Sequence, residues 1–130
     1  MQPYYTAFSM QITYYERIGR EKIKQLIHDF YQGIRQDELL SPMYKDDFEG
    51  AEERLFLFMV QYLGGPETYN QMRGHPRLRM RHMVFPVNEE AKQHWLANMK
   101  AALDKSDIEE PDKEFLWNYF RQTAEFLKNR

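Results

Sequence analysis

The sequence predicts one all-α domain, and three observations carry that expectation. Apolar residues recur at helical spacing along nearly the whole chain, and no segment sustains the alternation of a half-buried strand. The periodic runs are punctuated by proline and glycine, most plainly at Gly64-Gly65-Pro66. At 130 residues the chain buries roughly two-thirds of its unfolded surface, enough for a core without covalent staples.

The elements follow in order. Between Arg20 and Arg35, Ile23, Ile27, Phe30, Tyr31 and Ile34 form one helical stripe. A connector from Gln36 to Lys45 contains Ser41-Pro42. The next helix opens near Phe48, carries Ala51, Leu55, Phe58, Met59 and Tyr62, and stops at the glycine pair. Residues 66 to 74 read as loop, and a short helix is expected from Pro76, breaking before Pro86. Asn88 is a suitable N-cap, with Glu89 and Glu90 complementing the helix dipole behind it. That helix presents Ala91, Trp95, Met99 and Leu103. After a turn around Asp107 to Pro111, the last helix presents Phe115, Leu116, Tyr119, Phe120, Thr123, Phe126 and Leu127, making about five main helices.

Composition narrows the functional classes. The absence of cysteine excludes disulfides, thiolate zinc sites, iron–sulfur clusters and covalent haem attachment through C-x-x-C-H. A net charge of −2 does not suit a polyanion-binding chain, so no nucleic-acid partner is expected. The stretch MQPYYTAFSMQITYY has neither a basic leader nor an unbroken apolar run. Nothing approaches the ~18 apolar residues of a membrane span. The expectation is a cytoplasmic protein with no membrane partner. Nine Tyr, nine Phe, two Trp and eight Met are enough large side chains to fill a core or to line a pocket for a flat ligand.

The segment RGHPRLRMRHMVFPV, residues 73 to 87, holds two histidines and four arginines. As a metal pair it is disfavoured. His75 and His82 stand seven residues apart, roughly 10 Å along a helix, whereas two nitrogens on one ion must each lie about 2 Å from it. As a phosphate-binding patch it has the arginines in its favour but no accompanying nucleic-acid motif. Leu78, His82 and Phe85, at i, i+4 and i+7, place His82 on an apolar stripe away from most of the arginines. Such a histidine is ordinarily a hydrogen-bonded core residue. A haem, however, needs one imidazole in an apolar pocket, cations for its propionates and an aromatic enclosure, and the sequence holds all three.

The chain resembles the truncated haemoglobins, the two-over-two globins, and specifically their group II. The resemblance runs from about Tyr14 to Leu127 on DFY (29 to 31), GAEERL (50 to 55), QYLGGP (61 to 66), GHPRLRMRH (74 to 82), FPV (85 to 87) and Trp95, thirteen residues beyond His82. It implies a two-over-two helical sandwich around haem b (iron protoporphyrin IX), over a domain 14–130 preceded by an extension 1–13 to which no role is assigned. It also implies that His82 is the proximal iron ligand and that His75 is a loop or cap residue. Arg54 takes the position of the propionate-pairing cation, with the arginines around His82, including Arg79, as further candidates. Phe58, Tyr69, Leu78 and Phe85 are the other expected haem contacts.

On the distal side the resemblance puts Tyr31, Tyr44 and Trp95 at ligand-contacting positions. Bound dioxygen gains partial negative charge, which phenol or indole donors stabilise in a dry pocket. Without the resemblance, core packing would account for all three. The distal histidine of larger globins is missing; Ala51 and Leu55 stand in the matching region, and the small Ala51 leaves a short route for ligands. The family's glycine pair before the second helix is reduced to Gly19-Arg20. The implied activity is reversible binding of dioxygen, carbon monoxide or nitric oxide. Redox catalysis, as a nitric oxide dioxygenase or a peroxidase-like enzyme, is the alternative. No flavin or nicotinamide domain is seen, so a reductase would be a separate partner. A helical module that holds no haem and binds phosphate or protein partners is the third class.

Overall fold

The computed structural model describes residues 4–7, 10–73 and 87–129. His75, Leu78, Arg79, His82, Phe85 and the short helix expected from Pro76 therefore lie outside the described residues.

The first element departs from the helical expectation. Strands β1 (Tyr4–Ala7) and β2 (Met10–Thr13) pair antiparallel, with Tyr4 opposite Thr13 and Ala7 opposite Met10. Four residues per strand are too few to show a periodicity, so the hairpin left no mark in the sequence pattern. Thr13 also begins the helices. It is the N-cap of α1 (Tyr14–Ile18), accepting from the Glu16 amide at 3.0 Å while the Glu16 carboxylate accepts from the Thr13 amide at 3.1 Å. This reciprocal pair satisfies two amides that a helix start would otherwise leave open.

The long helices are α2 (Arg20–Arg35), α3 (Phe48–Tyr62), α5 (Glu89–Lys105) and α6 (Glu110–Leu127). Three of them begin where the local chemistry favours it, while α2 starts behind Gly19 with no side-chain cap. Asp47 caps α3 through the Gly50 amide at 2.9 Å, Asn88 caps α5 through the Ala91 amide at 2.8 Å, and Pro111 stands in the first turn of α6. A 3₁₀ turn, Ser41–Met43, occupies the connector. Helix α2 packs on both α3 and α5, and α5 packs on α6, which sets one helix pair over another. Ile27, Phe30, Ile34, Leu63 and Met99 are fully buried between them. Each such side chain contributes roughly 1.5–3 kcal/mol on leaving water.

Two further expectations need correction. The stretch read as loop contains helix α4 (Thr68–Arg73), six residues and so too short for a periodic signal. It is held to α3 by a reciprocal pair, Asn70 N–H to Gln61 Oε1 at 3.0 Å and Gln61 Nε2 to Asn70 Oδ1 at 3.1 Å. Phe126 does not lie on the core face of α6: it is 58% exposed, and Ala124 is buried in that turn instead. With α1 and α4 there are six α-helices among the described residues; α2, α3, α5 and α6 are four of the about five main helices expected, and the one expected from Pro76 lies outside the described residues.

The glycine pair after α3 does more than end it. Gly64 has φ +101°, and a Cβ there would stand 2.7 Å from Thr13 Cβ; one on Gly65 would meet the Tyr15 ring at 2.9 Å. Only bare glycines let residues 13–15 run against the end of α3, where Tyr15 N–H donates to Leu63 O at 2.9 Å.

Candidate functional site

A cavity of about 640 Å³ opens between the helix pairs. Helix α2 supplies Tyr31, the connector Leu40 and Tyr44, α3 supplies Ala51, Arg54, Leu55 and Phe58, α4 Tyr69, α5 Trp95 and α6 Tyr119. Thus Tyr31, Tyr44, Ala51, Leu55, Trp95, Arg54, Phe58 and Tyr69, far apart in sequence, share one space. The remaining candidates, Leu78, Arg79, His82 and Phe85, fall outside the described residues.

At one end three hydrogen-bonding aromatics converge. Phe30, fully buried, anchors two of them, with Tyr31 at 5.0 Å and Trp95 at 4.7 Å between ring centroids. Tyr44 meets Tyr31 edge-on at 5.6 Å. Tyr44 reaches this place because the 3₁₀ turn ends on it: its amide donates to Ser41 O at 3.0 Å, and its carbonyl accepts from Asp47 N–H at 2.9 Å. Burial pushes the Tyr31 phenol well above its usual range, and nearby Tyr44 pushes the same way against a smaller opposing effect of Arg54. Burial likewise raises Tyr44, opposed by its hydrogen bond with Trp95. Both phenols therefore keep their protons and remain donors at neutral pH.

The other walls are apolar or aromatic. Phe58 and Tyr69 pack edge to face at 5.5 Å, and Phe58 stacks on Tyr62 at 6.4 Å. Cations stand at the rim. Arg54, 40% exposed, donates to Asp47 Oδ2 at 3.2 Å. Lys92 also lines the cavity, paired with Glu125 at 2.9 Å and Glu89 at 3.1 Å, and those two carboxylates raise its pKa.

Sequence reasoning missed Lys92, Tyr119 and Thr123 as cavity residues. Lys92 and Trp95 share a helical face at i, i+3, as do Tyr119 and Thr123 at i, i+4, so the spacing held the signal. Tyr119 stacks on Tyr62 at 4.1 Å, and burial pushes its phenol up to about 12 despite a hydrogen bond with Thr123.

A haem suits this arrangement. Its flat apolar macrocycle asks for apolar and aromatic walls, its two carboxylates for cations at a rim, and a bound ligand for donors at one end. The cavity offers each, and no buried side-chain polar atom among the described residues lacks a hydrogen-bond partner.

Known proteins agree with this architecture. The family model of bacterial-like globins matches residues 13–129. A group 2 truncated hemoglobin of Bacillus subtilis (strain 168), YjbI, is 38% identical over 116 residues, 89% of this chain and 88% of that one. The crystal structure of the hemoglobin from the thermophilic phototrophic bacterium Chloroflexus aurantiacus superposes with a TM-score of 0.89 at 40% identity, covering 92% of this chain and 99% of that one. The X-ray structure of a truncated oxygen-avid haemoglobin from Bacillus subtilis superposes with a TM-score of 0.87 at 37% identity, covering 91% and 100%.

Proposed function

Because this chain belongs to the bacterial-like globins, with the fold of the group II truncated haemoglobins and their haem-based ligand binding, we propose that it binds dioxygen, carbon monoxide or nitric oxide on haem b, with His82 as proximal ligand and Tyr31, Tyr44 and Trp95 as donors to the bound gas. The observation that carries this reading is the convergence of those three donors at one end of a cavity walled mainly by apolar and aromatic side chains. The haem would supply an iron centre that takes up a diatomic ligand; the chain's own side chains decide how well it is retained.

Tyr31 and Tyr44 enter that role protonated, since burial disfavours their anions. Trp95 has only an N–H to give and cannot accept. Donors of this kind hold a partially negative ligand with about 1.5–3 kcal/mol each, roughly tenfold or more in retention. Arg54 would meet a propionate, since it lines the cavity and is only partly engaged by Asp47. Ala51 and Leu55 place no polar group beside the ligand.

Absorption spectra of the reconstituted protein in ferric, dithionite-reduced and carbon monoxide-bound forms test the reading. The expected result is a sharp Soret band, shifted by carbon monoxide, at one haem per chain. In His82→Ala the spectrum changes and added imidazole restores binding; an unaltered spectrum would refute that ligand. Slow dioxygen release, faster in Tyr31→Phe and Trp95→Phe, supports the donor group. Three donors also favour a redox role over delivery, because they slow release. Sustained nitric oxide or peroxide turnover with an added reductant is the measurement for that second reading.

A further inference from the structure

Asp37 lies outside the cavity, just past the end of α2, and is the most heavily hydrogen-bonded carboxylate among the described residues. Its Oδ1 accepts from the amides of Leu39 at 3.0 Å and Leu40 at 3.1 Å, at the start of the connector. Its Oδ2 faces His94 Nδ1 at 3.0 Å and accepts from Asn98 Nδ2 at 3.0 Å, both on α5. Its main-chain carbonyl accepts from Ser41 N–H at 2.8 Å. The side chain is only 11% exposed. One carboxylate thus joins a segment to a helix, and each of the two carries a ligand donor.

The spacing gives that junction its meaning. His94 and Asn98 flank Trp95 on the same turn of α5. From Asp37 the connector runs through one-turn hydrogen bonds, Met43 N–H to Leu40 O at 2.9 Å and Tyr44 N–H to Ser41 O at 3.0 Å, directly to Tyr44. Helix α2 is shaped to admit the contact: a Cβ on Gly33 would collide with Asn98 Oδ1. Asn98 itself is locked by donating to His94 O at 2.9 Å from the same amide nitrogen.

We propose that Asp37 is a positioning residue for the ligand donors, holding Tyr44 and Trp95 at a fixed separation by tying the connector to the turn of α5 that carries Trp95. It touches neither the cavity nor a ligand in it. Its effect on ligand retention rests on the haem-binding reading above; its effect on Trp95 does not.

Asp37→Asn is the discriminating variant. The amide oxygen still accepts from Leu39 and Leu40, so the connector keeps its turn. The new NH₂ group faces the donating NH₂ of Asn98, so that bond is lost, and the carboxylate charge facing His94 Nδ1 goes with it; only a neutral contact with the His94 ring remains, and the tie to α5 is much weakened. In the haem-loaded protein, dioxygen release should accelerate about tenfold, the size of one lost donor bond. The carbon monoxide stretching frequency should move toward that of Trp95→Phe. In a Trp95→Phe background Asp37→Asn should then add little, because both act through one donor pair. An unchanged stretching frequency, or an acceleration of the same size in both backgrounds, would overturn the proposal.

The indole N–H resonance of Trp95, assigned by its loss in Trp95→Phe, separates this proposal from the haem reading. It should shift in Asp37→Asn whether or not the sample contains haem. A wild-type chain that takes up no haem overturns the function proposed above, while the resonance still decides on Asp37: shifted, the tie stands; unshifted, it falls. Should Asp37→Asn fail to fold, His94→Ala combined with Asn98→Ala removes both partners of Asp37 from the α5 side at helix-favouring positions and is read by the same resonance and rate.

Discussion

The edge of one tyrosine ring meets the face of another where Tyr44 packs on Tyr31, 5.6 Å apart with their planes at 85°. The two phenols come from separate elements, and each is pushed up first by burial, Tyr31 further by the presence of Tyr44. Tyr119, on the opposite helix pair, is raised to about 12.

These three phenols predict an alkaline limit to stability. Unfolded tyrosines lose their protons near pH ~10, while the folded ones retain them. Above that pH the unfolded state binds fewer protons than the folded state, so stability falls as pH rises. For Tyr119 the fall continues to about pH 12 and amounts there to about 2 kcal/mol. Absorbance at the phenolate band and circular dichroism should therefore change together in a pH titration. Tyr119→Phe should move the midpoint to higher pH; a phenolate absorbance that reaches its full nine-tyrosine value well before the fold is lost would contradict this.

Asp112, 4% exposed in the first turn of α6, takes a forked pair of hydrogen bonds from Arg17 at 3.2 and 3.3 Å. This contact fastens α1 to α6. Arg17→Met leaves the buried carboxylate without its charge partner and should cost about 3 kcal/mol in urea unfolding. Asp112→Asn removes the charge together with the need for its partner, and should cost less. Equal losses would argue against a charge-based role.

Gly33→Ala should destabilise although alanine is the better helix former. The gain in propensity is about 1 kcal/mol, whereas overpacking against Asn98 costs about 1–3 kcal/mol. Thermal unfolding of Gly33→Ala alone and with Asn98→Ala checks the cause. The second change should recover stability by removing the obstructing amide, and additive losses would assign the strain elsewhere.

Ala51, 7% exposed, lines the cavity one helical turn from Leu55. Ala51→Phe should narrow the passage and slow carbon monoxide association severalfold in flash photolysis, with little effect on the unfolding midpoint. An unchanged association rate would mean that ligands enter by another way.

The long helices were legible because each buries a stripe at a period of 3.6 residues, and Asn88 caps α5 as its chemistry requires; Pro111, read as part of the preceding turn, stands inside the first turn of α6. The hairpin and α4 were not, since four and six residues do not complete enough turns or alternations to show a pattern. In the cavity, Tyr31 reads in sequence as one more member of the α2 stripe, between Ile27 and Ile34. Only its meeting with Tyr44 and Trp95 distinguishes it from core. Family resemblance brought those positions together ahead of the structure; periodicity alone would not. Asp37 was illegible for a different reason. Its partners His94 and Asn98 lie 57 and 61 residues away, and a single acid in a connector looks like any solvated turn residue.

Thr13 closes strand β2, caps α1 and presses on Gly64 at the far end of α3. It works as a bulkhead. A tug on the hairpin meets first a threonine wedged between two helix ends, ahead of α1. The expected consequence is that the segment ahead of Thr13 is mechanically separate from the ligand chamber. Lengthening it, exchanging it or attaching cargo to it should leave gas binding untouched, whereas Thr13→Val, which keeps the shape but loses the cap, should transmit such changes inward.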